Sequence, residues 1–551
     1  MSEDTKKPIN IMNTICPNPD CGVVRSLKEV IAGLVEKLCK VESLIAEKDA
    51  IIEQLQGQLR NQSSKLFGVS SEKSRYLGDN SAESNKSVEC VEEQKDASHT
   101  RGQRGAVQGH CGHGRKIPET LKTLDVVHEL SSEEARCPHC GKPYRKVKIE
   151  KVSSEIDIEI VILRRIHHRS CYAQTCACEN TPAIITASKT PQVIPKSLLS
   201  NAFWAYLLVQ KYFFQIPLHR QITELSMQGL PLLTGTVLGG FQKLTPLLRP
   251  LYQELIAVSR TEHHWHADET RWLMFVDHPE KKGFRWWLWT FVSERVVAFV
   301  VDPSRSARVP QEYFGDEAQG TLNVDRYSAY HSLVERMKRA LCWYHMRRDF
   351  MKAMEAFAKL AEWAKSWMAE IDGLERCNEV RLQLQPNTLA YQDAQRALEE
   401  KATHIKEKWE QELAQGSLGK RQQTVLNSLR RNWEGLTIFV QDPAIPMHNN
   451  VAERALRSAA VGRKNYYGHH AVWSGELSAI CMTIFQTAAK HNLNVYAYLQ
   501  YYFDTYAKLG SVPDSLDVFL PWNIPEAVIS QYNMRLIAPK KRGKLPKRAG
   551  P

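Results

Sequence analysis

The sequence contains no apolar run that approaches the roughly 20 residues with which a helix crosses a bilayer. Its first residues, MSEDTKKPINIMNTIC, also lack the apolar core of a signal peptide. These two absences argue against a membrane-spanning or secreted protein. We therefore expect a cytoplasmic protein.

Acidic residues are in the minority: 61 Asp and Glu stand against 73 Lys and Arg, which gives a net charge of +12. A basic excess of this size suits an anionic polymer or a membrane surface. It also fits simple solubility, so the charge decides little by itself. The length of 551 residues exceeds one ordinary core and predicts several domains.

Disulfides are not expected, because a reducing compartment keeps the 13 Cys as thiols or metal ligands. CPHC and CYAQTCACE place five of them in a short module, residues 119–180, with no thioredoxin-like pattern around it. We assign four thiolates to a structural Zn²⁺, with a fifth Cys as the competing ligand: Cys137, Cys140, Cys176 and Cys178, and the competitor Cys171. Such a site predicts a contact module for nucleic acid or protein and does not identify the function.

A heptad seam runs through the N-terminal segment, residues 1–60. Its apolar residues alternate in steps of four and three: Leu27, Ile31, Leu34, Leu38, Val41, Ile45, Ile52, Leu55 and Leu59. Only Lys48 interrupts the pattern. A 3.5-residue period predicts a coiled coil and hence a homo-oligomer. One amphipathic helix docked on its own chain is the alternative.

Composition and sequence pattern predict three further regions of the chain. Residues 61–118 predict a basic flexible linker, either a plain spacer or a segment that lies along phosphates. Residues 181–258 predict a helical, possibly DNA-binding region, helix-turn-helix-like around QGLPLLTGT, where Thr can cap the second helix. Any helical hairpin fits the same pattern. Residues 506–551 end in a basic tail that either contacts nucleic acid or is simply solvated.

Residues 259–350 change to aromatic and β-branched runs, including HHWHADETRWLMFV, FRWWLWTFVSE and VVAFVVDPS. We predict three strands, a helix, a strand, a helix and a strand, the last in RALCWYH, all in one mixed α/β sheet. Residues 351–435 are almost wholly helical, and residues 436–505 continue the core with a second helical region. The chain is therefore predicted to be a multidomain α/β protein.

Three carboxylates in this predicted fold are candidate catalytic residues. Asp268 lies in the first predicted strand, Asp325 follows the fourth, and Glu453 lies in a helix opened by Asn449 and Asn450. The first and fourth strands of a mixed sheet can lie side by side, and a helix across them can add the Glu. Three carboxylates suffice to hold two Mg²⁺ (or Mn²⁺) ions, whose charge compensates theirs and which activate a nucleophile and stabilise the leaving oxygen of a phosphodiester.

Each carboxylate taken alone also has a structural explanation. Asp268 can cap a turn or pair with Arg271, Asp325 can cap the next helix, and Glu453 can pair with a neighbouring Arg. The combination in this strand order favours the catalytic interpretation. Glu269 should point to the opposite face of its strand and should not be a ligand.

Several motifs resemble, in the same order, the DDE transposases of the IS66 family of bacterial insertion sequences: LFGVSSEKSR, PLHRQITEL…GTVLGGFQKL, WHADETRW, DRYSAY, CWYHMRRDF, NNVAERALR, VGRKNYYG and DVFLPW. The resemblance implies a ribonuclease-H-like core with Asp268, Asp325 and Glu453 as its metal-binding triad, and 351–435 as a helical insertion. It implies Mg²⁺-dependent cleavage and strand transfer of double-stranded DNA at element ends, small accessory proteins, and a bacterial, nucleoid-associated location. The chain departs from the family by His448, where similar proteins usually carry Asp.

Supporting residues surround this set. His345 either assists proton transfer or is an interior, hydrogen-bonded histidine; Asn449 and Asn450 support the site. Five basic residues are candidate DNA contacts: Arg347, Arg348, Arg457, Arg463 and Lys464. Tyr466 and Tyr467 either stack on bases or pack, and His263, His264 and His266 are interpreted as packing and polar support, because Mg²⁺ avoids imidazole. The alternatives to a transposase are a non-catalytic zinc-containing DNA-binding regulator and a nuclease without strand transfer.

Overall fold

The computed structural model describes residues 22–67, 127–145, 161–176, 181–279, 283–333, 335–511, 513 and 515–532. Most of the predicted linker, Cys178 and the basic tail after residue 532 lie outside these residues. The chain forms two compact units, one of residues 71–168 and one of residues 1–70 with 169–551. In the described part of the chain, no helix is long and apolar enough to cross a membrane.

The N-terminal segment forms one helix, α1 (Gly22–Phe67), which confirms the predicted helix and extends it beyond residue 60. The described side chains of its heptad seam are exposed, among them Leu34 at 59% and Leu38 at 61%. The described seam residues are thus not buried against the rest of the chain, although the helix contacts the helix Trp343–Ala356 elsewhere. The coiled coil stays a prediction.

A short hairpin and three helices follow. The hairpin pairs β1 (Cys171–Ala173) with β2 (Ile184–Thr186). The helices are α2 (Asn201–Tyr212), α3 (Leu218–Met227) and α4 (Thr234–Arg260).

The predicted helical pair around QGLPLLTGT is present as α3 and α4. Its predicted Thr cap is wrong, because the N-cap of α4 is Leu233 and no side chain caps the helix. The DNA-binding role of this pair stays a prediction.

Five strands form the central sheet: β3 (His264–Leu273), β4 (Arg285–Val292), β5 (Val297–Asp302), β6 (Gly320–Val324) and β7 (Met337–Leu341). Their order is β5-β4-β3-β6-β7. The β3–β4 and β4–β5 pairs are antiparallel, and the β3–β6 and β6–β7 pairs are parallel. Helix α5 (Arg308–Phe314) connects β5 to β6. The predicted adjacency of the first and fourth strands is confirmed.

Two predictions for this part of the chain need correction. The helix predicted after the fourth strand is present, but it is a 3-10 helix, Ser328–Leu333. The last strand ends at Leu341, and Trp343 already opens helix α6 (Trp343–Ala356). The strand stops because its partner β6 ends at Val324, and the amide of Trp343 donates instead to the carbonyl of Met447.

The predicted insertion is helical, as expected: α7 (Ala361–Gln383), α8 (Leu389–Ala414), α9 (Lys420–Arg431) and α10 (Trp433–Gln441). Arg381, which is fully buried, donates from its guanidinium to the carbonyls of Phe439 and Val440 near the end of α10. The indoles of Trp363 and Trp367 both donate to Glu412. These buried polar contacts hold α7 against α8 and α10.

The chain then returns to the sheet through α11 (Asn450–Tyr466), α12 (Val472–Lys490) and α13 (Val495–Leu509), and ends in the short helix α14 (Glu526–Tyr532). Leu456 and Ala459 of α11 and Met482 of α12 join a buried cluster with Trp272 and Leu288 of the sheet. Burial of this apolar surface packs α11 against β3, which carries Asp268, and against the neighbouring β4.

Candidate active site

Asp268 and Asp325 belong to the two adjacent strands β3 and β6. In their parallel ladder His266 pairs with Asn323. The same register, continued by two residues, sets Asp268 opposite Asp325, which directly follows the end of β6. Strand β3 therefore positions Asp268, while Asp325 follows directly from the paired end of β6.

Glu453 approaches from the first turn of α11, whose N-cap is Asn449. Its amide donates to the carbonyl of Asn449 at 3.4 Å, which is the first hydrogen bond of the helix. Electrostatics show that Glu453 and Asp325 both act on Asp268, because each raises the pKa of that carboxyl group. The structure thus brings the three predicted residues together.

Burial raises the pKa of Asp268 well above its usual range, and repulsion from Glu269, Asp325 and Glu453 raises it further. Asp268 makes no ion pair with any residue that the structure describes. The alternative pairing with Arg271 is thus not present. An unpaired carboxylate among other carboxylates is costly when ionised, and a bound cation would relieve that cost.

Each aspartate uses one oxygen locally. Oδ1 of Asp268 accepts from the amide of Glu269 at 2.9 Å, and Oδ1 of Asp325 accepts from the amide of Tyr327 at 2.8 Å. No group of three or more His, Cys, Asp or Glu side chains within the described ranges is arranged to hold a metal ion. Carboxylate oxygens are nevertheless the ligand type that a hard divalent cation prefers, so the metal assignment rests on donor chemistry and stays a proposal.

Glu269 faces a different environment from Asp268, as the alternation along a strand predicts. Its side chain is 1% exposed and forms an ion pair with Arg305 at 2.5 Å. The hydroxyl of Tyr330 donates to its other oxygen at 2.7 Å. Both carboxylate oxygens of Glu269 are therefore engaged behind the site.

His345 lies near Asp325 in the first turn of α6, where that carboxylate acts on it electrostatically. Burial, together with the nearby charges of Arg348 and Arg326, lowers the pKa of His345 to about 4. Its Nδ1 is buried and has no hydrogen-bond partner among the described residues. A pKa this low makes the imidazole a weak base at neutral pH, which favours the interpretation of His345 as an interior histidine.

The basic residues of α6 divide into one buried and one exposed side chain. Arg347 is buried and pairs with Asp372 of the insertion at 2.9 Å, which favours a structural role over the predicted DNA contact. Arg348 is exposed and stays a candidate DNA contact. The hydropathy pattern could not separate the two, because Asp372 lies in another helix.

The basic residues of α11 divide in the same way. Arg457 and Lys464 are exposed and stay candidate DNA contacts. Arg463 is partly buried and donates to Oγ1 of Thr270 at 3.1 Å and to the carbonyl of Arg271, so it ties the end of α11 to β3. This placement makes Arg463 a structural contact first.

The two tyrosines at the end of α11 have different roles. Tyr466 packs inside, and its hydroxyl donates to Oε1 of Gln215 at 3.0 Å, which favours the packing interpretation. Tyr467 is 71% exposed, with a φ of 60°. Only Tyr467 is available for stacking on a base.

His448 stands against α6 rather than among the three carboxylates. Its ring stacks on Tyr344 at 5.3 Å between centroids, and its Nδ1 has no hydrogen-bond partner in the described part of the chain. Burial lowers the pKa of His448. The departure from Asp at this position therefore changes a contact beside the site.

Two residues near the site were missed by the sequence analysis. Asn323 of β6 is fully buried, and Arg326 donates to Asp349 at 2.7 Å and to Ser428 of the insertion at 2.7 Å. A lone Asn in the apolar strand GTLNV was a usable signal, because buried amides need partners. No local signal identified the partners of Arg326.

The CPHC segment, in the unit of residues 71–168, forms a tight turn. The amide of Gly141, at φ 71°, donates to the carbonyl of Cys137, and the amide of Cys137 donates to the carbonyl of Lys142. The backbone amides of His139 and Cys140 lower the pKa of the Cys137 thiol. A thiolate favoured in this way suits a zinc ligand.

The second half of the predicted zinc site is only partly described. Cys176 is exposed, and Cys178 lies outside the described residues. Sγ of Cys171 lies 3.3 Å from Oγ1 of Thr186 in the hairpin. The fourfold zinc assignment therefore stays a prediction.

Comparison with known proteins gives one family match. A family model described as "Transposase IS66 family" matches residues 196–477, a span that contains all three candidate carboxylates. The uncharacterized protein y4jD of Sinorhizobium fredii (strain NBRC 101917 / NGR234) is 27% identical over 452 residues, 77% of this chain and 84% of that protein. From the same organism, the uncharacterized protein y4hP is 21% identical over 430 residues, 74% of this chain and 76% of its own length.

Proposed function

Because the chain belongs to the IS66 family of transposases, we propose that it cleaves and joins DNA at the ends of its element in a Mg²⁺- or Mn²⁺-dependent DDE reaction. Asp268, Asp325 and Glu453 are the proposed catalytic residues. The observation that carries the proposal is the pairing of β3, which holds Asp268, with β6, which leads directly into Asp325. The electrostatic effect of Asp325 and Glu453 on Asp268 supports the same grouping. The sheet order β5-β4-β3-β6-β7 supports a ribonuclease-H-like core.

The three carboxylates supply the hard oxygen ligands that Mg²⁺ prefers. Two such ions would activate a water or 3′-hydroxyl nucleophile and stabilise the leaving oxygen of the phosphodiester. The chain itself holds the carboxylates at fixed positions on strands and helix. His345 is uncharged at neutral pH, but its lowered pKa makes it a weak base there, so no proton transfer is assigned to it.

DNA is the proposed partner, and the exposed Arg348, Arg457 and Lys464 are the proposed phosphate contacts. Arg348 follows His345 by three residues and Arg457 follows Glu453 by four, so each lies about one helical turn beyond a residue of the site. This spacing supports a basic strip that continues from the carboxylates along two helices.

The test is a cleavage assay on end-labelled element-end DNA with the purified wild-type chain. We expect strand cleavage and joined products with Mg²⁺ or Mn²⁺, and neither with EDTA. Cleavage without joining would indicate a nuclease. DNA binding with no metal-dependent product under any condition would favour the non-catalytic regulator and overturn the proposal.

We also propose that Cys137 and Cys140 hold a structural Zn²⁺ together with Cys176 and Cys178. The lowered pKa of the Cys137 thiol supports this. We expect about one zinc per chain by mass spectrometry of the metal content, and its loss in Cys137→Ser. Cys39→Ser, an exposed thiol on α1, is the matched control and should keep the metal. Equal zinc in both variants would contradict the assignment.

A further inference from the structure

The helix that carries Glu453 is joined to the two aspartate strands mainly by side chains, and apolar packing does not fix its position along its own axis. Strand pairing sets β3 against β6, but α11 rests on the sheet through residues such as Leu456 and Ala459. Such contacts are non-directional. Directional bonds are needed to place one carboxylate relative to the other two.

Arg463 provides such bonds at the far end of α11, and two buried asparagines provide them at the end that carries Glu453. Asn449, which precedes α11, donates from Nδ2 to the carbonyl of Ala267 at 2.7 Å. Asn323 of β6 donates from Nδ2 to the carbonyl of Pro446 at 2.8 Å. Their exposures are 1% and 0%. The two bonds run in opposite directions and brace residues 446–449 against both strands.

The two backbone carbonyls fix the orientation of these amides, and two histidines of β3 then donate to the amide oxygens. Because the carbonyl of Ala267 only accepts hydrogen bonds, the nitrogen of the Asn449 amide must face it. Its oxygen then faces Nδ1 of His266 at 3.1 Å, so that nitrogen carries the hydrogen. By the same reasoning Nε2 of His264 donates to Oδ1 of Asn323 at 2.7 Å.

The side chain of Asn449 does not cap helix α11. Asn is a favoured N-cap residue, yet its side chain makes no capping hydrogen bond here. The side chain of Asn449 bonds to Ala267, the residue before Asp268, and its backbone carbonyl accepts from the amide of Glu453. Asn449 therefore links two candidate metal ligands.

We propose that Asn449 and Asn323 are positioning residues that set the placement of Glu453 relative to Asp268 and Asp325. The proposal rests on the proposed function for its catalytic consequence only. A displacement of about 1 Å at a reacting centre costs on the order of 10²-fold in rate. Loss of either brace should therefore lower kcat while leaving the affinity for DNA unchanged.

The test uses Asn449→Asp, which is isosteric and a good N-cap but cannot donate to Ala267. The matched control is Asn494→Asp at the N-cap of α13, where Oδ1 only accepts from the amides of Tyr496 and Ala497. Hydrogen exchange by mass spectrometry should be about tenfold faster at residues 453–457 in Asn449→Asp, as loss of a buried hydrogen bond predicts. The control should show no change there.

The activity measurement on the same proteins should show kcat about 10²-fold lower, with KM for DNA unchanged, in Asn449→Asp and in Asn323→Asp. Unchanged exchange at residues 453–457 in folded Asn449→Asp would overturn the proposal. Global unfolding of both variants would also overturn it, because the asparagines would then serve general stability. If the wild type cuts no DNA, the proposed function fails, and the exchange measurement still decides this inference.

Discussion

Asp268→Asn should abolish strand cleavage and joining, with a loss on the order of 10⁴–10⁶-fold, the size seen when one member of a catalytic set is removed. DNA binding should persist, because Asp268 contributes negative charge and no phosphate contact. The measurement is product formation on labelled element-end DNA beside a binding titration at the same salt concentration. Cleavage at the wild-type rate would contradict the assignment of the triad.

In the absence of metal, Asp268→Asn should also have a larger free energy of unfolding than the wild type at neutral pH. Burial and the neighbouring carboxylates raise the pKa of Asp268, so the folded state binds that proton more tightly than the unfolded chain does. Stability therefore falls as pH rises from the usual carboxyl range through the raised pKa. Asn has no proton to lose, so this loss should be absent, and the Tm in EDTA should be higher.

Added Mg²⁺ should reverse this order of stability between Asp268→Asn and the wild type. A cation that binds only the folded state stabilises it, and Asp268→Asn removes a ligand, so the wild type should gain more Tm than the variant. Asp302→Asn is the matched control. Its Oδ1 accepts from the amide of Ser304 at 2.7 Å, much as Asp325 accepts from Tyr327, but it pairs with Arg308 away from the triad. It should keep both cleavage and the response to Mg²⁺.

The sheet and the carboxylates were predictable because they depend on local pattern. Strand β4 is buried over nearly all its length and reads as one continuous aromatic and β-branched run. The adjacency of β3 and β6 follows from short connections and the need to bury both faces. Once those strands pair, the placement of Asp268 and Asp325 needs no further information.

The roles of the surrounding residues were not predictable, because each depends on a distant partner. Arg347 is neutralised by Asp372 in the insertion, and Tyr466 is held by Gln215 from the region before the sheet. Sequence shows that a residue is basic or aromatic and does not show which face it turns to the core. The end of β7 was misplaced for the same reason, since Met447 captures the amide of Trp343.

Substitution of the α1 seam should convert an oligomer into a monomer. We propose that α1, 46 residues or about 69 Å long at 1.5 Å per residue, pairs with a second copy. Its described seam residues form two alternating core positions, mostly Ile at one and Leu at the other, which favours a parallel dimer: Ile31, Leu38, Ile45 and Ile52, and Leu34, Val41 and Leu55. All are exposed in the single chain.

The variant Leu34→Asp with Leu38→Asp should show the mass of one chain by light scattering, and the wild type the mass of two. Each buried Leu contributes about 1.5–3 kcal/mol, and a charge in the seam adds a desolvation cost. The matched control is Ala32→Asp with Ser43→Asp, exposed residues off the seam that add the same charge. An oligomer that survives in the seam variant, or is lost in the control, would contradict the coiled coil.

Replacing Lys48 tests the same interface in the opposite direction, because this change should strengthen the dimer. Lys48 occupies a core position of the seam and lines a small exposed groove with Val41 and Ile45. Burying its ammonium group between two helices is unfavourable, so Lys48→Leu should lower the dissociation constant of the dimer. If α1 instead docked elsewhere on its own chain, Lys48→Leu would raise Tm without any dependence on protein concentration, whereas stabilisation of a dimer makes Tm concentration-dependent.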